Sequence, residues 1–227
     1  MPRSGSTTSP REPVTRERAV RVAVALADAG GIPSLSMRKL AGELGIEAMS
    51  LYYHVSGKED LLDGMVESVV SEMAIPVDGA SWRPALRERA DSARAVLARH
   101  PWAISQMDAR TTQATLRLHD AIIGCLLRAG FSMALAAHAM SLVDSYVHGF
   151  ALQEASLPTD ATGDISEATE AILDQTRMME AFPNLAEMGR TLVMQPGYAY
   201  GNEFDFGIEL ILDGLERSLQ SPTESAS

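Results

Sequence analysis

The chain has 227 residues, 46% of them apolar, which is enough for one small and one medium domain with a real core. A single cysteine, Cys125, excludes an internal disulfide framework and any multi-cysteine metal site. No apolar run approaches the ~20 residues of a membrane span and no secretion signal opens the chain, so the expected location is the cytoplasm, while the net charge of −11 is no advertisement for a polyanionic partner.

Residues 1–13 are rich in Ser, Thr, Pro and Arg and predict a disordered tail, whose arginines either stay solvated or touch a polyanion. A first helix is expected from an N-cap at Thr15 to Ala29, with Ala19, Val22, Ala23 and Leu26 inward and Gly30-Gly31 as its stop.

The segment from Ser36 to Lys58, SMRKLAGELGIEAMSLYYHVSGK, carries the most specific signal. Ser36 is a good N-cap, and Leu40, Ala41 and Leu44 form one buried stripe. Gly45 supplies a positive φ that ends the helix. A second helix is expected over Glu47–His54, with Leu51 facing inward. This spacing is the helix-turn-helix pattern, in which the second helix enters the DNA major groove and the first braces it. Ala48, Met49, Ser50, Tyr52, Tyr53 and His54 crowd the remaining faces, and their polar groups suit phosphates and base edges. Lys58 is placed to reach a phosphate. The plain alternative is a helical hairpin with a few exposed aromatics, since short matches of this kind arise by accident.

The run Leu44-Gly45-Ile46-Glu47-Ala48-Met49-Ser50-Leu51-Tyr52-Tyr53-His54-Val55, with Lys58-Glu59-Asp60-Leu61-Leu62-Asp63 after it, resembles the DNA-binding domain of the tetracycline repressor family. Gly130-Phe131-Ser132 and the stretch Phe206–Glu216 extend the resemblance, which covers about residues 14–219. It implies an all-α chain: a three-helix helix-turn-helix domain over residues 14–60, and a larger helical regulatory and dimerisation domain over residues 61–220. A second disordered tail is expected over residues 221–227.

The charge distribution fits that division. Residues 1–60 hold eight Lys/Arg against seven Asp/Glu, and residues 61–227 hold eleven against twenty-three. The acidic surface therefore lies away from the expected DNA face and favours one docking orientation. The weak basic excess predicts affinity that rests on specific contacts and falls with salt. The resemblance matches Arg38, Lys39, Tyr52, His54 and Lys58 to DNA-contacting positions. It places Ala48 where the family's Gln reads a base and Met49 where it has Pro. A Gln–adenine pair is worth roughly 1–3 kcal/mol of discrimination, so its loss implies a different operator, with Ala48 or Met49 against a thymine methyl.

Beyond Lys58 the periodicity predicts a connector helix to about Met73, with Leu61, Leu62, Met65, Val66 and Val69 on one face. Helices follow at about Trp82–Arg99, Thr111–Ala129 and Ser132–Glu154. After a loop over 155–164 come helices at 166–180 and Leu185–Val193, a Pro/Gly/Tyr loop, and a last helix over Phe204–Leu219. No strand and no internal repeat is expected. Cys125 falls in an apolar helical run and reads as a buried, inert thiol.

In the last helix Phe204, Ile208, Ile211, Leu212 and Leu215 form a coiled-coil-like stripe. Periodicity alone does not say whether it covers the chain's own core or a second copy. The resemblance implies a homodimer in which this stripe, with Leu135, Ala139, Leu142, Tyr146 and Phe150, makes a four-helix interface. A two-fold dimer in turn implies a palindromic duplex of double-stranded DNA.

The resemblance also implies a small-molecule effector that shifts the connector helix. Candidate pocket residues are Arg89, His100, Trp102, Met107, His138 and Tyr146. The late methionines Met178, Met179, Met188 and Met194 suit either an adaptable pocket or core filling. Arg89 and Ala93 stand where the drug-binding members have Asn and Phe, Met107 where they have a magnesium-binding His, and Arg110 where they have Thr. A different effector is expected, with no metal and no cofactor.

Two other readings stay open. One is a DNA-binding regulator controlled by a partner or by abundance, without a ligand. The other is an all-α enzyme, for which His100, His119, Asp120, His138, Asp144 and His148 would have to converge. His138 and His148 are about 1000° apart around a helix. No HExxH, Glu-x-x-His, P-loop or Gly-x-Ser-x-Gly motif is present, so no catalytic residue is assigned.

Overall fold

The structure is a computed structural model that describes residues 13–77, 79–157 and 181–220. The two tails, the 166–180 helix, and Met178 and Met179 lie outside the described residues. Every regular element among the described residues is helical.

Helix α1 (Arg16–Gly30) starts at Thr15, whose Oγ1 accepts the Arg18 N–H at 3.2 Å. It buries Ala19, Val20, Ala23 and Ala27, whereas Val22 and Leu26, expected inside, are only half-buried. The buried face is rotated because small alanines allow α1 to cross the connector helix α4, over Lys58–Val70, closely. A Cβ on Gly64 of α4 would lie 2.8 Å from Val20. After a 3-10 turn, α2 (Met37–Leu44) begins at Ser36, whose Oγ accepts the Lys39 N–H. It ends at Gly45 with φ 70°, and the Ile46 N–H returns to the Ala41 carbonyl at 3.0 Å. That is the helix-ending geometry that a left-handed glycine permits.

Helix α3 is only Ala48–Leu51, four residues, rather than the expected Glu47–His54. Past Leu51 the chain tightens: the Tyr53 N–H reaches Ser50, and those of His54 and Val55 both reach the Leu51 carbonyl. Shorter-range bonds of this kind close a helix end, and here they swing Val55 into the core beside Leu51. Asp60 fastens the next start by accepting the Ser56 N–H at 2.8 Å and a bond from Arg16 of α1 at 2.7 Å. The Arg16 bond, then the Ser56 N–H, hold its carboxyl below the usual range.

The connector α4 (Lys58–Val70) stops three residues short of the expected Met73, which a turn still buries. Its inner face holds Leu61, Leu62, Met65, Val66, Val69 and Val70. Then follow α5 (Trp82–Arg99), a short unexpected α6 (Ala103–Met107), α7 (Gln113–Arg128), and α8 (Met133–Ser156). The expected Leu185–Val193 helix is a single α-turn, α9 (Pro183–Met188), continued by a π-helical turn at Gly189–Val193. Helix α10 (Asn202–Gln220) closes the described chain.

Helix α8 packs against α5, α7 and α10. This corrects the dimer stripe. Ala139, Phe150, Phe204, Ile208, Leu212 and Leu215 are all buried inside the single chain, and Leu135 and Ile211 are partly buried. Leu142 alone of those residues faces out, 48% exposed. Arg94 lies over the Phe150 and Phe204 rings at 4.9 and 4.8 Å and pairs with Glu154, sealing the α5–α8–α10 junction. A heptad-like stripe needs a cover, and α8 supplies it in cis. The apolar groups left outside are Met133, Leu142 and Leu152 on α8 and Phe206 and Leu210 on α10.

Candidate nucleic-acid interface and effector cavity

The α2–α3 unit presents the expected surface. Leu40, Ala41, Leu44, Leu51 and Val55 lie beneath it, fully buried. Above them Met49 is 73% exposed, Tyr52 47% and Tyr53 89%. Ala48, Ser50 and His54 are half-buried, while Arg38, Lys39 and Lys58 extend into solvent. A methionine on α3 and two tyrosines in the turn after it, all left in water, form an unpartnered apolar and hydrogen-bonding patch of the kind that marks a recognition surface.

The second feature is a cavity of about 640 Å³ beside the α6–α7 loop, between α7 and α8. Met107, Asp108, Arg110, Thr111, Thr115, His119, Ser141, Asp144, Ser145 and His148 line it. Behind it Arg89 of α5, 4% exposed, pairs with Asp144, and its Nε has no partner. His119 stands 3.9 Å from Asp144 and His148 3.9 Å from Asp108. Burial holds the His148 imidazole below its usual pKa, against the pull of Asp144 and Asp108, so the ring is neutral at pH 7.

The six residues expected in a pocket do not converge. Met107 lines the cavity and Arg89 backs it. His100 and Trp102 instead meet at Asp28 of α1, each with a ring nitrogen 2.7 Å from the same carboxylate oxygen. They form a joint between the first helix and the rest of the chain, beside a cleft of about 370 Å³. His138 is exposed on α8, and Tyr146 is spent on α10, where its hydroxyl donates to the Glu203 and Phe204 carbonyls at 3.1 and 3.2 Å. The residues that sequence reasoning missed had a signal. Ser141, Asp144, Ser145 and His148 recur at i, i+3, i+4 and i+7, a polar face on an otherwise apolar helix.

The connector joins the two features. At its start, Arg110 pairs with Glu59 through Nη2, and its Nε lies 3.1 Å from Asp63. At its middle, Glu67 accepts the Ala114 N–H at 2.7 Å and an Arg117 bond at 2.9 Å. Burial raises the Glu67 pKa, but these bonds and the Thr112 hydroxyl more than offset that, leaving it below the usual carboxylate range. At its end, Glu72 pairs with Arg99 at 2.6 Å.

Comparison with known proteins agrees with this layout. Residues 19–65 match the model for bacterial regulatory proteins of the tetR family, and residues 75–219 match that for the tetracyclin repressor-like C-terminal domain. The chain is 32% identical over 220 residues to the HTH-type transcriptional repressor DrrR1 of Streptomyces coeruleorubidus, covering 91% of this chain and 79% of that one. It is 30% identical over 208 residues to the class C tetracycline repressor protein of Escherichia coli, covering 89% and 90%. Among solved structures, the TetR family protein ActR of Streptomyces coelicolor in complex with actinorhodin superposes with a TM-score of 0.74. That match has 26% identity and covers 92% of this chain and all of that one. With both halves matched in order, the chain belongs to the tetracycline repressor (TetR) family of transcriptional regulators.

Proposed function

We propose that the chain acts as a homodimeric repressor that reads a palindromic duplex with α2 and α3 and leaves it when a small molecule fills the α7–α8 cavity. One observation carries this reading: the connector helix that follows α3 is paired, through Glu59 and Asp63, with Arg110 of the cavity lining. Arg38, Ser50, Tyr52 and His54 contact phosphates or base edges, Lys58 a phosphate, and Ala48 and Met49 a thymine methyl. The apolar groups still exposed on α8 and α10 support a two-fold contact between copies, now assigned to Met133, Leu142, Leu152, Phe206 and Leu210.

The effector carries hydrogen-bonding groups that match this lining. Of the ten residues lining the cavity, Met107 is the apolar exception, whereas sites for drug-sized apolar molecules are lined mostly by apolar side chains. The complex of the similar protein ActR with actinorhodin supports a small-molecule effector for this chain.

The test is selection of duplexes from a random pool by the full-length chain, followed by footprinting. Enrichment of a two-fold symmetric site, with half-sites about one helical turn or a multiple apart, is expected. Enrichment of a single asymmetric half-site would overturn the dimer, and no enrichment would overturn the DNA reading.

A further inference from the structure

Several polar joints tie the DNA-binding unit and its connector to the rest of the chain: His100 and Trp102 on Asp28, Arg117 on Glu67, Arg99 on Glu72, and Arg110 on Glu59 and Asp63. Among the described residues, Arg110 is the arginine of these joints that also lines the cavity. We propose that Arg110 is the strut through which occupancy of the cavity reaches the DNA-binding unit. This regulation rests on the reading of the chain as a ligand-released repressor.

The geometry suits a movable part. Arg110 belongs to the non-helical stretch between α6 and α7, so its backbone is not locked by a helical ladder. Its side chain is 12% exposed and reaches across to the first turn of α4, one residue beyond Lys58. Nη1 donates to Gln106 of α6 at 3.0 Å, which steadies the guanidinium from its own side of the joint. Nε faces Asp63 without the alignment of a hydrogen bond and remains a spare buried donor.

The partners make the contact reversible. The Glu59 and Asp63 side chains are 80% and 57% exposed, and pairs with carboxylates this open to water add little to stability. Moving the guanidinium away therefore costs the fold little. An acceptor group bound in the cavity competes for the same rigid fork of N–H donors. As the fork turns inward, the first turn of α4 loses its tie to the α6–α7 loop, while Asp60 still holds it to α1. No residue of the other joints lines the cavity, so they hold the domain together in either state.

The experiment uses the full-length chain and a duplex taken from the random-pool selection, with affinity read by anisotropy and folding by melting temperature. Ser145→Trp places an indole in the cavity as a tethered occupant. Arg110→Ala is expected to weaken DNA binding about 5-fold or more, the lower edge of ordinary allosteric coupling. Arg117→Ala, which breaks a joint outside the cavity, is expected to stay within about twofold of wild type on the same scale. Ser145→Trp is expected to weaken binding in the wild-type background and to add less than about twofold once Arg110 is alanine, because the strut is already gone. If Arg110→Ala melts early, Glu59→Gln with Asp63→Asn removes the same contacts from the exposed side and is read the same way. Unchanged affinity on loss of the contacts overturns the strut, as does an equal effect of Ser145→Trp in both backgrounds. Failure of the pool to yield any duplex overturns the repressor reading and the strut with it.

Discussion

The Tyr146 hydroxyl sits so close over Gly207 that a Cβ on that glycine would lie 2.1 Å from it. The ring also stacks on Phe204 at 5.5 Å, so it has little room to retreat. Gly207→Ala therefore pries α8 from α10 and breaks both hydrogen bonds from Tyr146 to the α10 start. The expected cost is about 1–3 kcal/mol, the usual range for overpacking, and a melting temperature lower by several degrees. Tyr146→Leu in the same chain is expected to recover part of the loss. Differential scanning calorimetry of the two single variants and the double reads this directly, and additive losses would show that the two residues do not clash.

The proposed recognition surface and the core are expected to separate at α3 and the turn after it. Tyr53→Ala removes a ring that is 89% exposed, so stability is expected to change by no more than about 0.5 kcal/mol while DNA affinity falls. Leu51→Ala removes a fully buried side chain and is expected to cost about 2–5 kcal/mol. Denaturant titration beside DNA titration distinguishes them. A Tyr53→Ala chain with normal DNA affinity would remove Tyr53 from the interface.

The basic residues Lys58 and Arg38 are expected to divide by what they read. Lys58→Ala is expected to weaken all duplexes alike and to lower the slope of log affinity against log salt by about one. Arg38→Ala is expected to weaken the selected site by about 1–3 kcal/mol and to relax its specificity if the guanidinium reaches a base. A salt series on selected and scrambled duplexes measures both.

The neutral His148 gives the fold a pH dependence of known sign. Burial lowers its folded pKa below the ordinary value of 6.5, so the unfolded chain binds its proton more readily. Stability therefore rises with pH through this window and is lost as the pH falls below about 6.5. The depressed carboxylates Asp60 and Glu67 act in the same sense but at lower pH, since their ordinary values are 3.8 and 4.5. Between pH 7.5 and 5.5 the wild type is expected to lose more melting temperature than His148→Gln. Equal losses would show that the imidazole is not held neutral.

Much of the architecture is legible in the residues. Ser36 and Gly45 bracket α2 as a cap and a left-handed stop, and the structure places both accordingly. The α5 boundaries, Trp82 and Arg99, follow from periodicity alone. What escaped depends on neighbours distant in sequence. The early end of α3 is set by Val55 turning into the core, which no local propensity encodes. The stripe on α10 is visible, but whether α8 of the same chain or of another covers it is a tertiary fact. The cavity was hidden for the same reason: Asp144 and His148 share a face of α8, yet His119 and Arg110 reach them from other segments. Arg89 reads as a candidate ligand contact, although its partner is the buried edge of Asp144.

Whether the chain is a dimeric, sequence-specific DNA-binding protein is read by an anisotropy titration of the full-length chain against the selected duplex and an unrelated one at several salt concentrations. Saturation at two protomers per duplex is expected, tighter than the unrelated control by a factor of ~10³ or more at physiological salt. Equal, weak and purely salt-driven binding to both duplexes would contradict it.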